Sequence, residues 1–276
     1  GRAGTPAQRD ALLPVAAGCA VALAERDGAD PFALATAVEP IGARVALTGL
    51  KYAVARLGAA GTVLVAAGGR EPSGGTPSVW AVPVAALPAP AAAREDKLGL
   101  RSAATWRMRL DGVETDASAE LGGPGAAAAA VRALLAVKLL TASINVGLAR
   151  AAVEYASGYA RERTAFGRPI GAFQGVSFMI AERAIGVDAA RLLVWEAASA
   201  LDAGAATEQV APLVMVACGQ AVAAATGASD DAVQVLGGHG YMRDHPVELW
   251  YRDAMTLATL DAPSLVTDLY LGARGR

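Results

Sequence analysis

The sequence predicts an α+β fold, mainly α, with a small antiparallel β-barrel-like domain followed by an up-and-down four-helix bundle. Before residue 122, short alternating or β-branched runs lie between Gly and Pro residues, a pattern typical of strands. After residue 125, apolar residues recur at helical spacing. The change falls at GGPG, residues 122–125, which favours a loop. We therefore predict a β domain over 19–124 and a helical domain over 125–276, preceded by a short segment, 1–18.

The individual elements are predicted in order from these periodicities. Strands are predicted at 44–54, 62–66, 78–84 and 106–113, and the Pro-Ala repetition at 83–93 predicts a surface loop. Long helices are predicted at 126–163, 173–203 and 207–227, with shorter helices at 229–236, 246–256 and 263–272.

One segment, 209–229, carries no charged residue and is long enough to cross a membrane. It contains Pro212, Gly219 and Gly227 and consists mostly of small residues, which favours a buried helix over a membrane span. A helix without charge on any face needs cover on all sides. We therefore expect no membrane span here and a helix that lies at a contact between subunits.

Charge and composition exclude several classes of protein. The formal net charge is -2 and no run of Lys or Arg occurs, so the chain lacks the electrostatic pattern of a nucleic-acid-binding protein. Cys19 and Cys218 lie far apart, and the two histidines, His239 and His245, complete no zinc-ligand spacing. We expect no metal site, no disulfide and, since no secretory leader is visible, a cytoplasmic protein.

The stretch RERTAFGRPIGAFQ, residues 161–174, joins two of the predicted helices. Gly167 and Pro169 end the first helix, and Arg163 suits the negative end of the helix dipole. These are the features of an ordinary capped helix end. They do not account for the second helix that follows at once, with Gln174 as its first exposed polar residue. The stretch therefore predicts a helical hairpin that presents an arginine, an aromatic ring and an amide together.

Two further segments follow this hairpin, QVLGGHGY at 234–241 and HPVELWYRDA at 245–254. Together the three segments resemble the acyl-CoA dehydrogenase family, the flavoenzymes that desaturate acyl-CoA thioesters. Weaker similarity is carried by GTPAQRDALLP at 4–14, AERDGAD at 24–30, ALTGLKYAV at 46–54 and KLGLRS at 97–102. The resemblance covers nearly the whole chain. It implies the fold predicted above and α,β-desaturation of an acyl-CoA thioester with FAD as the hydride acceptor.

The resemblance also implies a site for that cofactor, because in this family FAD lies across a dimer interface with its ADP end held by the neighbouring subunit. On that pattern the cofactor-binding residues are Arg163, Phe166, Gln174, Gln234, Gly237 and Gly238. A guanidinium can donate two hydrogen bonds to a pyrophosphate, an apolar ring suits adenine, and paired glycines let backbone amides approach an anion. The glycine pair by itself would equally suit an ordinary helix end. No G-x-G-x-x-G follows a strand, so we expect no Rossmann site.

The chain departs from the family pattern at the flavin and at the start of the chain. Residues 1–18 resemble only the end of the family's first helical domain, so a longer chain or a partner would have to supply one wall of the acyl cleft. The family's Trp-Ile-Thr beside the flavin is Ala53-Val54-Ala55 here, and its Thr-Glu-Pro is Ala24-Glu25-Arg26. An aromatic face and a hydroxyl expected at the isoalloxazine are therefore missing.

The third departure concerns the catalytic base. By the resemblance, the family's glutamate falls at Asp261, and the alternative position on the first long helix is Val137. Asp261 also lies two residues before Pro263 and would suit the N-cap of the last predicted helix, so base and cap both stay open. Lys138 occupies the position of a family arginine that helps to hold substrate, although an isolated lysine on a helix is also consistent with a solvated side chain.

Two functions are consistent with these residues. The first is an acyl-CoA dehydrogenase-like flavoprotein subunit that acts on an acyl-CoA substrate and passes electrons to an electron-transfer flavoprotein or a similar acceptor. The second is a non-catalytic partner subunit of a hetero-oligomeric acyl-CoA dehydrogenase, which keeps its share of the FAD site for a neighbour. Both imply a homo- or hetero-oligomer, a dimer or a tetramer, that shares FAD across an interface.

Overall fold

The computed structural model describes residues 4–12, 18–25, 34–68, 77–88, 92–123 and 126–260. The chain forms two compact units, the first comprising 1–96 and 101–135 and the second comprising 97–100 and 136–276. The first unit contains a short helix, α1 (Pro6–Leu12), and most of the strands. These strands are β1 (Cys19–Ala22), β2 (Ala37–Ile41), β3 (Arg44–Ala55), β4 (Thr62–Ala67), β5 (Ser78–Pro83), β6 (Ala92–Arg94) and β7 (Thr105–Asp116).

These seven strands form one sheet in the order β5-β4-β1-β3-β7-β6, with β2 paired to β3. Neighbouring strands are antiparallel except for β1 and β4, which run parallel. The long strands β3 and β7 pair along most of their length, with register shifts between Leu47 and Gly49 and between Lys51 and Val54. Such bulges bend a sheet and increase its twist. The predicted β domain is therefore confirmed in architecture, with one parallel pair that the sequence did not indicate.

The larger of two buried clusters in the first unit consists mainly of β-branched and aliphatic side chains of this sheet. Leu47, Val54, Val63 and Val65 are fully buried there, as is Trp80, whose ring nitrogen donates to Ser78 Oγ at 2.8 Å. The alternation that predicts the strands is the same alternation that buries these residues, because successive side chains in a strand point to opposite faces.

A buried ion pair lies within the same unit, between Lys51 on β3 and Glu25. Lys51 Nζ and Glu25 Oε1 are 2.6 Å apart, and the Lys51 side chain is 0% exposed. Burial alone would raise the pKa of Glu25, but the charge and hydrogen bond of Lys51, with hydrogen bonds from Thr36 and the Ala35 N–H, hold that pKa below its ordinary value. Burial lowers the pKa of Lys51, and Glu25 offsets part of that effect. Four hydrogen bonds to its carboxylate therefore hold Glu25 in place against the sheet.

The second unit is helical. It contains α2 (Ala127–Glu162) from residue 136 onward, α3 (Gln174–Asp202), α4 (Thr207–Leu236) and α5 (Val247–Leu260), together with the two-residue strands β8 (Thr164–Ala165) and β9 (Arg168–Pro169). The four long helices match the predicted bundle. The helix predicted at 263–272 lies outside the described residues.

The separate helices predicted at 207–227 and 229–236 are wrong, because α4 is continuous across Gly227. Arg183 on α3 packs directly over this glycine, where a Cβ would lie 2.7 Å from its Nη1. The Arg183 guanidinium pairs with Asp231 on α4, with Nε and Oδ2 2.5 Å apart. The glycine thus makes room for a cation that joins the two helices, and this tertiary contact outweighs its low helix propensity.

The expectation that α4 needs cover from another subunit is also wrong. Within 209–229 only Gln209, Gln220 and Ala223 are exposed, because α3 and α5 pack against the helix within this unit. Exposed apolar side chains lie instead on α3, at Phe178, Ile185, Leu192 and Trp195. Among the described residues, α2 and the segment Thr207–Tyr241 are long and apolar enough to cross a membrane by length and composition. Core helices of globular proteins meet the same criterion, so this is weak evidence for a span.

Three strands of the large sheet were not predicted, namely β1, β2 and β6. Each has at most five residues, and alanine, which has low β propensity, makes up two of the four residues of β1 and two of the three residues of β6. The predicted surface loop at 83–93 holds a 3-10 turn, Val84–Ala86, and the first residues of β6. Pairing with longer neighbours, and not local preference, makes these segments strands.

The segment Lys97–Leu100 is attached to α5 within the second unit. Gly99 N donates to Thr256 Oγ1 at 2.8 Å, Leu100 N donates to Asp253 Oδ1 at 2.6 Å, and Arg252 Nη1 donates to Leu98 O at 3.0 Å. Arg252 also donates to Glu248, which holds the pKa of that carboxyl below its ordinary value. The Arg-Asp pair in LWYRDA is therefore a structural clamp for this segment.

Replacing Gly99 by alanine should destabilise the protein by about 1–3 kcal/mol, because a Cβ at this position would lie 2.2 Å from the backbone oxygen of Arg252. Gly61→Ala is the matched control, since a Cβ there meets nothing within 4 Å. Urea unfolding of both variants measures the difference. Equal midpoints for Gly99→Ala and Gly61→Ala would contradict the close approach.

Candidate functional site

The end of α2 and the start of α3 form the predicted hairpin. The backbone N–H of Arg163 still donates to Tyr159 O at 2.8 Å, and Ile170 N donates to Arg163 O at 2.8 Å across the turn. Between these bonds, β8 and β9 pair around Phe166 and Gly167, which both have positive φ, 51° and 83°. A left-handed conformation at two consecutive residues is that of a tight hairpin turn. The turn therefore holds Arg163 at a fixed backbone position beyond the helix.

Two aromatic side chains and one cationic side chain of this hairpin contact one another. The Arg168 guanidinium lies over the Phe173 ring, 4.1 Å from its centroid, and Phe166 packs edge-on against the same ring at 6.2 Å. Phe166 is nevertheless 95% exposed. A large aromatic ring held in place yet left open to solvent is suited to contact another molecule.

The end of α4 contributes the glycine pair. Gly237 has φ 58° and ψ -132°, a backbone conformation that essentially only glycine adopts, and its N–H donates to Gln234 O. Gly240 is required by packing, because a Cβ there would lie 2.5 Å from Val233 O. Gly238 differs from both: its φ is not positive, and a Cβ would meet nothing within 4 Å. Neither backbone strain nor packing explains a glycine at 238.

The hairpin and the glycine pair meet at a cleft of 310 Å³ within the second unit. This volume lies at the lower end of the range of small-molecule sites. The cleft is lined by Tyr159, Arg163, Ile170, Val235, Leu236, Gly237, Gly238 and His239.

Two tyrosines on α2 bind the two histidines of the chain. Tyr159 Oη lies 2.8 Å from His239 Nδ1, and Tyr155 Oη lies 2.8 Å from His245 Nδ1. The two imidazole rings are 5.7 Å apart between centroids. These hydrogen bonds attach the segment after α4 to the last turns of α2. They thereby hold the glycine pair at the same cleft as Arg163.

The charge of Arg163 is not neutralised within the described part of the chain. Other arginines of the second unit have carboxylate partners there, Arg183 with Asp231 and Arg252 with Glu248. Arg163 has no ion pair with any described residue and is exposed. The cleft therefore offers a guanidinium and open backbone at Gly238, an arrangement that suits an anion such as a phosphate.

All six residues predicted to bind the cofactor are exposed in the second unit. Arg163, Gly237 and Gly238 line the cleft. Phe166, Gln174 and Gln234 are close in sequence to residues that line the cleft but do not line it themselves. As cofactor contacts all six remain predictions. The sequence argument missed Tyr159 and His239. Their signal in the sequence is the four-residue spacing of Tyr155 and Tyr159, which also suits an ordinary apolar helix face.

The two remaining site predictions have different outcomes. Lys138 is fully buried, so it is not the solvated side chain that the sequence left open. The Sγ of Cys218 on α4 contacts the backbone oxygen of Lys138 at 3.6 Å, which places this part of α2 against α4. Asp261 lies outside the described residues, and its role as base or cap stays a prediction.

The residues expected beside an isoalloxazine lie in the first unit. Val54 is buried in the sheet core, whereas Ala53 and Ala55 present only methyl groups. Ala53 has φ 54°, at the bulge in β3. The Glu25 carboxylate is engaged by Lys51, Thr36 and Ala35. These positions keep a distinctive backbone but lack the aromatic ring and hydroxyl that the family pattern would place there.

The sequence also matches a family of known proteins. Residues 125–265, just over half of the chain, match the family described as acyl-CoA dehydrogenase, C-terminal domain. The chain belongs to the acyl-CoA dehydrogenase family. The resemblance inferred from the hairpin, the glycine pair and the Arg-Asp segment is thereby confirmed.

Individual acyl-CoA dehydrogenases match most of the chain. The mitochondrial short-chain specific acyl-CoA dehydrogenase of Bos taurus is 32% identical over 239 residues, 86% of this chain and 57% of that protein. Among solved structures, a glutaryl-coenzyme A dehydrogenase in complex with glutaryl-CoA has a TM-score of 0.82 and 28% identity, covering 99% of this chain and 71% of that one. Butyryl-CoA dehydrogenase from Megasphaera elsdenii has a TM-score of 0.79 and 27% identity, covering 99% and 73%.

The chain spans less than two thirds of the length of the curated acyl-CoA dehydrogenases that it matches. The fold and the family membership therefore apply to this chain directly. The activity, substrate and partners of the whole enzymes come to it only as proposals.

Proposed function

We propose that this chain is a FAD-binding subunit of an acyl-CoA dehydrogenase and that its cleft holds the ADP half of FAD. The observation that carries the proposal is Gly238. Fold and packing leave this position free to be any small residue, yet it is glycine, and it lies in one cleft with Arg163. Open space beside the Cα of Gly238, in one cleft with an arginine that has no carboxylate partner among the described residues, suits a pyrophosphate.

The residues present fit this group. Arg163 would donate to the pyrophosphate, and the backbone of Gly237 and Gly238 would approach the same anion without a Cβ in the way. Phe166 offers an exposed apolar ring for adenine, while Gln174 and Gln234 offer amides at the edges. Because all six residues are exposed on one unit, we propose that they hold a FAD whose flavin end belongs to a neighbouring subunit.

We further propose that the neighbour is reached through the exposed face of α3. Phe178, Ile185 and Leu192 are exposed and repeat every seven residues, the spacing of a helix–helix seam. An exposed apolar stripe of this kind marks an association surface. A second copy of the chain and a related subunit both satisfy this proposal.

The proposed reaction is α,β-desaturation of an acyl-CoA thioester. FAD, when bound, supplies the acceptor for the hydride that leaves the β-carbon. On this chain Asp261 would accept the α-proton, and Lys138, which is fully buried, would support the substrate site from within α2 and not by direct contact. Electrons would pass to an electron-transfer flavoprotein or a similar acceptor, and we propose a cytoplasmic location. The family uses FAD in its reactions, which supports the cofactor.

A second candidate function is favoured by Ala53 and Ala55, which lack the groups that the family places at the flavin. On this alternative the chain is a non-catalytic partner that holds FAD for a catalytic subunit. Acyl-CoA oxidation with an artificial electron acceptor separates the two functions. Turnover by the chain alone, supplied with FAD, supports the enzyme, whereas turnover only with a co-purified subunit supports the partner.

Gly238→Ala should weaken FAD binding about 10- to 100-fold, because the new methyl group fills the space above the backbone N–H and removes a charge-assisted hydrogen bond. Its melting temperature should not fall, since the Cβ meets nothing within 4 Å. Gly186→Ala on α3 is the matched control, with the same chemical change and open surroundings outside the cleft. Equilibrium titration with FAD measures both variants. Unchanged affinity in Gly238→Ala would reject the proposed site.

A further inference from the structure

Tyr159 and His239 form a pair inside the cleft to which the proposed function assigns no role. Their Oη and Nδ1 atoms lie 2.8 Å apart, and both residues line the cleft with Arg163 and the glycine pair. His239 is exposed, and its second ring nitrogen, Nε2, has no hydrogen-bond partner among the described residues. One nitrogen of the ring is thus fixed by α2, and the other is available to a bound molecule.

We propose that His239 donates a hydrogen bond from Nε2 to the pyrophosphate of the bound dinucleotide and that protonation of His239 strengthens this binding. The inference rests on the proposed function. When the Tyr159 hydroxyl donates to Nδ1, the neutral imidazole carries its hydrogen on Nε2 and is already a donor toward the cleft. When the ring is protonated, Nδ1–H donates to Tyr159 instead, and Nε2–H remains a donor that now carries positive charge.

The groups around His239 make the pyrophosphate the natural partner of that charge. Tyr159 lies on α2, Arg163 lies in the turn just after it, and His245 lies in the segment before α5, 5.7 Å away between ring centroids. No carboxylate in the described ranges pairs with His239. Arg163 and a protonated His239 repel each other without ligand, and a dianionic pyrophosphate between them offsets this repulsion.

His245 provides an internal comparison. It makes the same kind of bond, from Nδ1 to Tyr155, but it is less exposed than His239 and does not line the cleft. The Tyr155 ring that bonds to His245 also packs edge-on against the Trp250 indole, with the two ring centroids 5.7 Å apart. The Tyr155–His245 pair therefore serves the structure, while the Tyr159–His239 pair faces the ligand.

The test is FAD binding by the full chain at pH 5.5 and pH 8, followed by FAD fluorescence and by calorimetry. FAD is the suitable probe because its pyrophosphate stays doubly ionised over this range, in which histidine side chains change charge. The wild type should bind FAD about tenfold more tightly at pH 5.5 than at pH 8. His239→Gln keeps an N–H donor but cannot take up a proton, so it should match the wild type at pH 8 within about threefold and lose the gain at pH 5.5.

Two further variants complete the design. Relative to the wild type, His239→Ala should bind FAD about tenfold more weakly at pH 8 and about a hundredfold more weakly at pH 5.5, because it removes the donor at both pH values and the charge at the lower one. His245→Gln should keep the wild-type pH profile. A pH-independent wild type, or a His239→Gln variant that keeps the gain at pH 5.5, would overturn the inference and leave the proposed site intact. No FAD binding by the wild type at any pH would overturn the proposed function itself and this inference with it.

Discussion

Lys51→Met is expected to lower the free energy of unfolding by about 3–5 kcal/mol, the largest stability effect among the described residues considered above. The substitution removes the cation of a buried pair and leaves the Glu25 carboxylate, only 10% exposed, with hydrogen bonds from Thr36 and Ala35 but with no opposite charge from another described residue. An uncompensated buried charge is far more costly than a missing pair. Urea unfolding followed by circular dichroism measures the loss.

The double variant Glu25→Gln with Lys51→Met distinguishes this cause from a simple packing defect. The amide that replaces the Glu25 carboxylate keeps one oxygen, which can accept from the Thr36 N–H and hydroxyl but not also from the Ala35 N–H, which donates to the other carboxylate oxygen. No charge remains buried, so a large part of the lost stability should return. A double variant as unstable as Lys51→Met alone would show that the ion pair is not the source of the effect.

The pH dependence follows from the same pair. The folded pKa of Glu25 lies below its value in the unfolded chain, so its contribution to stability is complete above about pH 4.3 and is lost as the pH falls through the folded pKa. In Lys51→Met the attraction that lowers this pKa is gone. Burial, which raises the pKa of Glu25, then dominates, so protonation of Glu25 relieves the uncompensated buried charge. The difference in unfolding free energy between the wild type and the variant should therefore narrow as the pH falls, which urea unfolding at decreasing pH measures.

Much of the fold could be predicted from local pattern. The alternation in β3, β4, β5 and β7 and the apolar spacing in α2 and α3 are strong enough to locate these elements within a few residues. The failures share one physical cause, which is tertiary contact. Strands β1 and β6 form because longer strands pair with them. Helix α4 continues across Gly227 because the Arg183 side chain packs over this glycine and pairs with Asp231.

The site was predicted less completely than the fold. Arg163 and the glycine pair could be named from the sequence because the segments that contain them, 161–174 and 234–241, resemble the family pattern. The partnership of Tyr159 with His239 could not be found in this way, since the two residues are 80 positions apart and each has an ordinary local role. The distinction between Gly238 and Gly240 likewise depends on neighbouring atoms, and only the structure contains them.

Arg163→Ala is expected to weaken FAD binding by about 3 kcal/mol, or about a hundredfold, with little change in melting temperature. The guanidinium lines the cleft without a carboxylate partner in the described ranges, so its removal breaks no ion pair with a described residue and takes away the main cation of the site. Arg161→Ala is the control, because Arg161 is an exposed arginine on the last turn of α2 that does not line the cleft. Equal FAD affinities for the two variants would show that the cation at 163 has no special part in binding.

The central claim is that this member of the acyl-CoA dehydrogenase family holds the ADP half of FAD at the cleft between the α2 hairpin and Gly237–Gly238. The most direct test is competition: the chain is loaded with FAD, and ADP or riboflavin is added at increasing concentration while bound FAD is measured. The account predicts that ADP displaces FAD and that riboflavin, which lacks the pyrophosphate and adenine, does not. Displacement by riboflavin with no effect of ADP would place the binding energy in the isoalloxazine and would contradict the account.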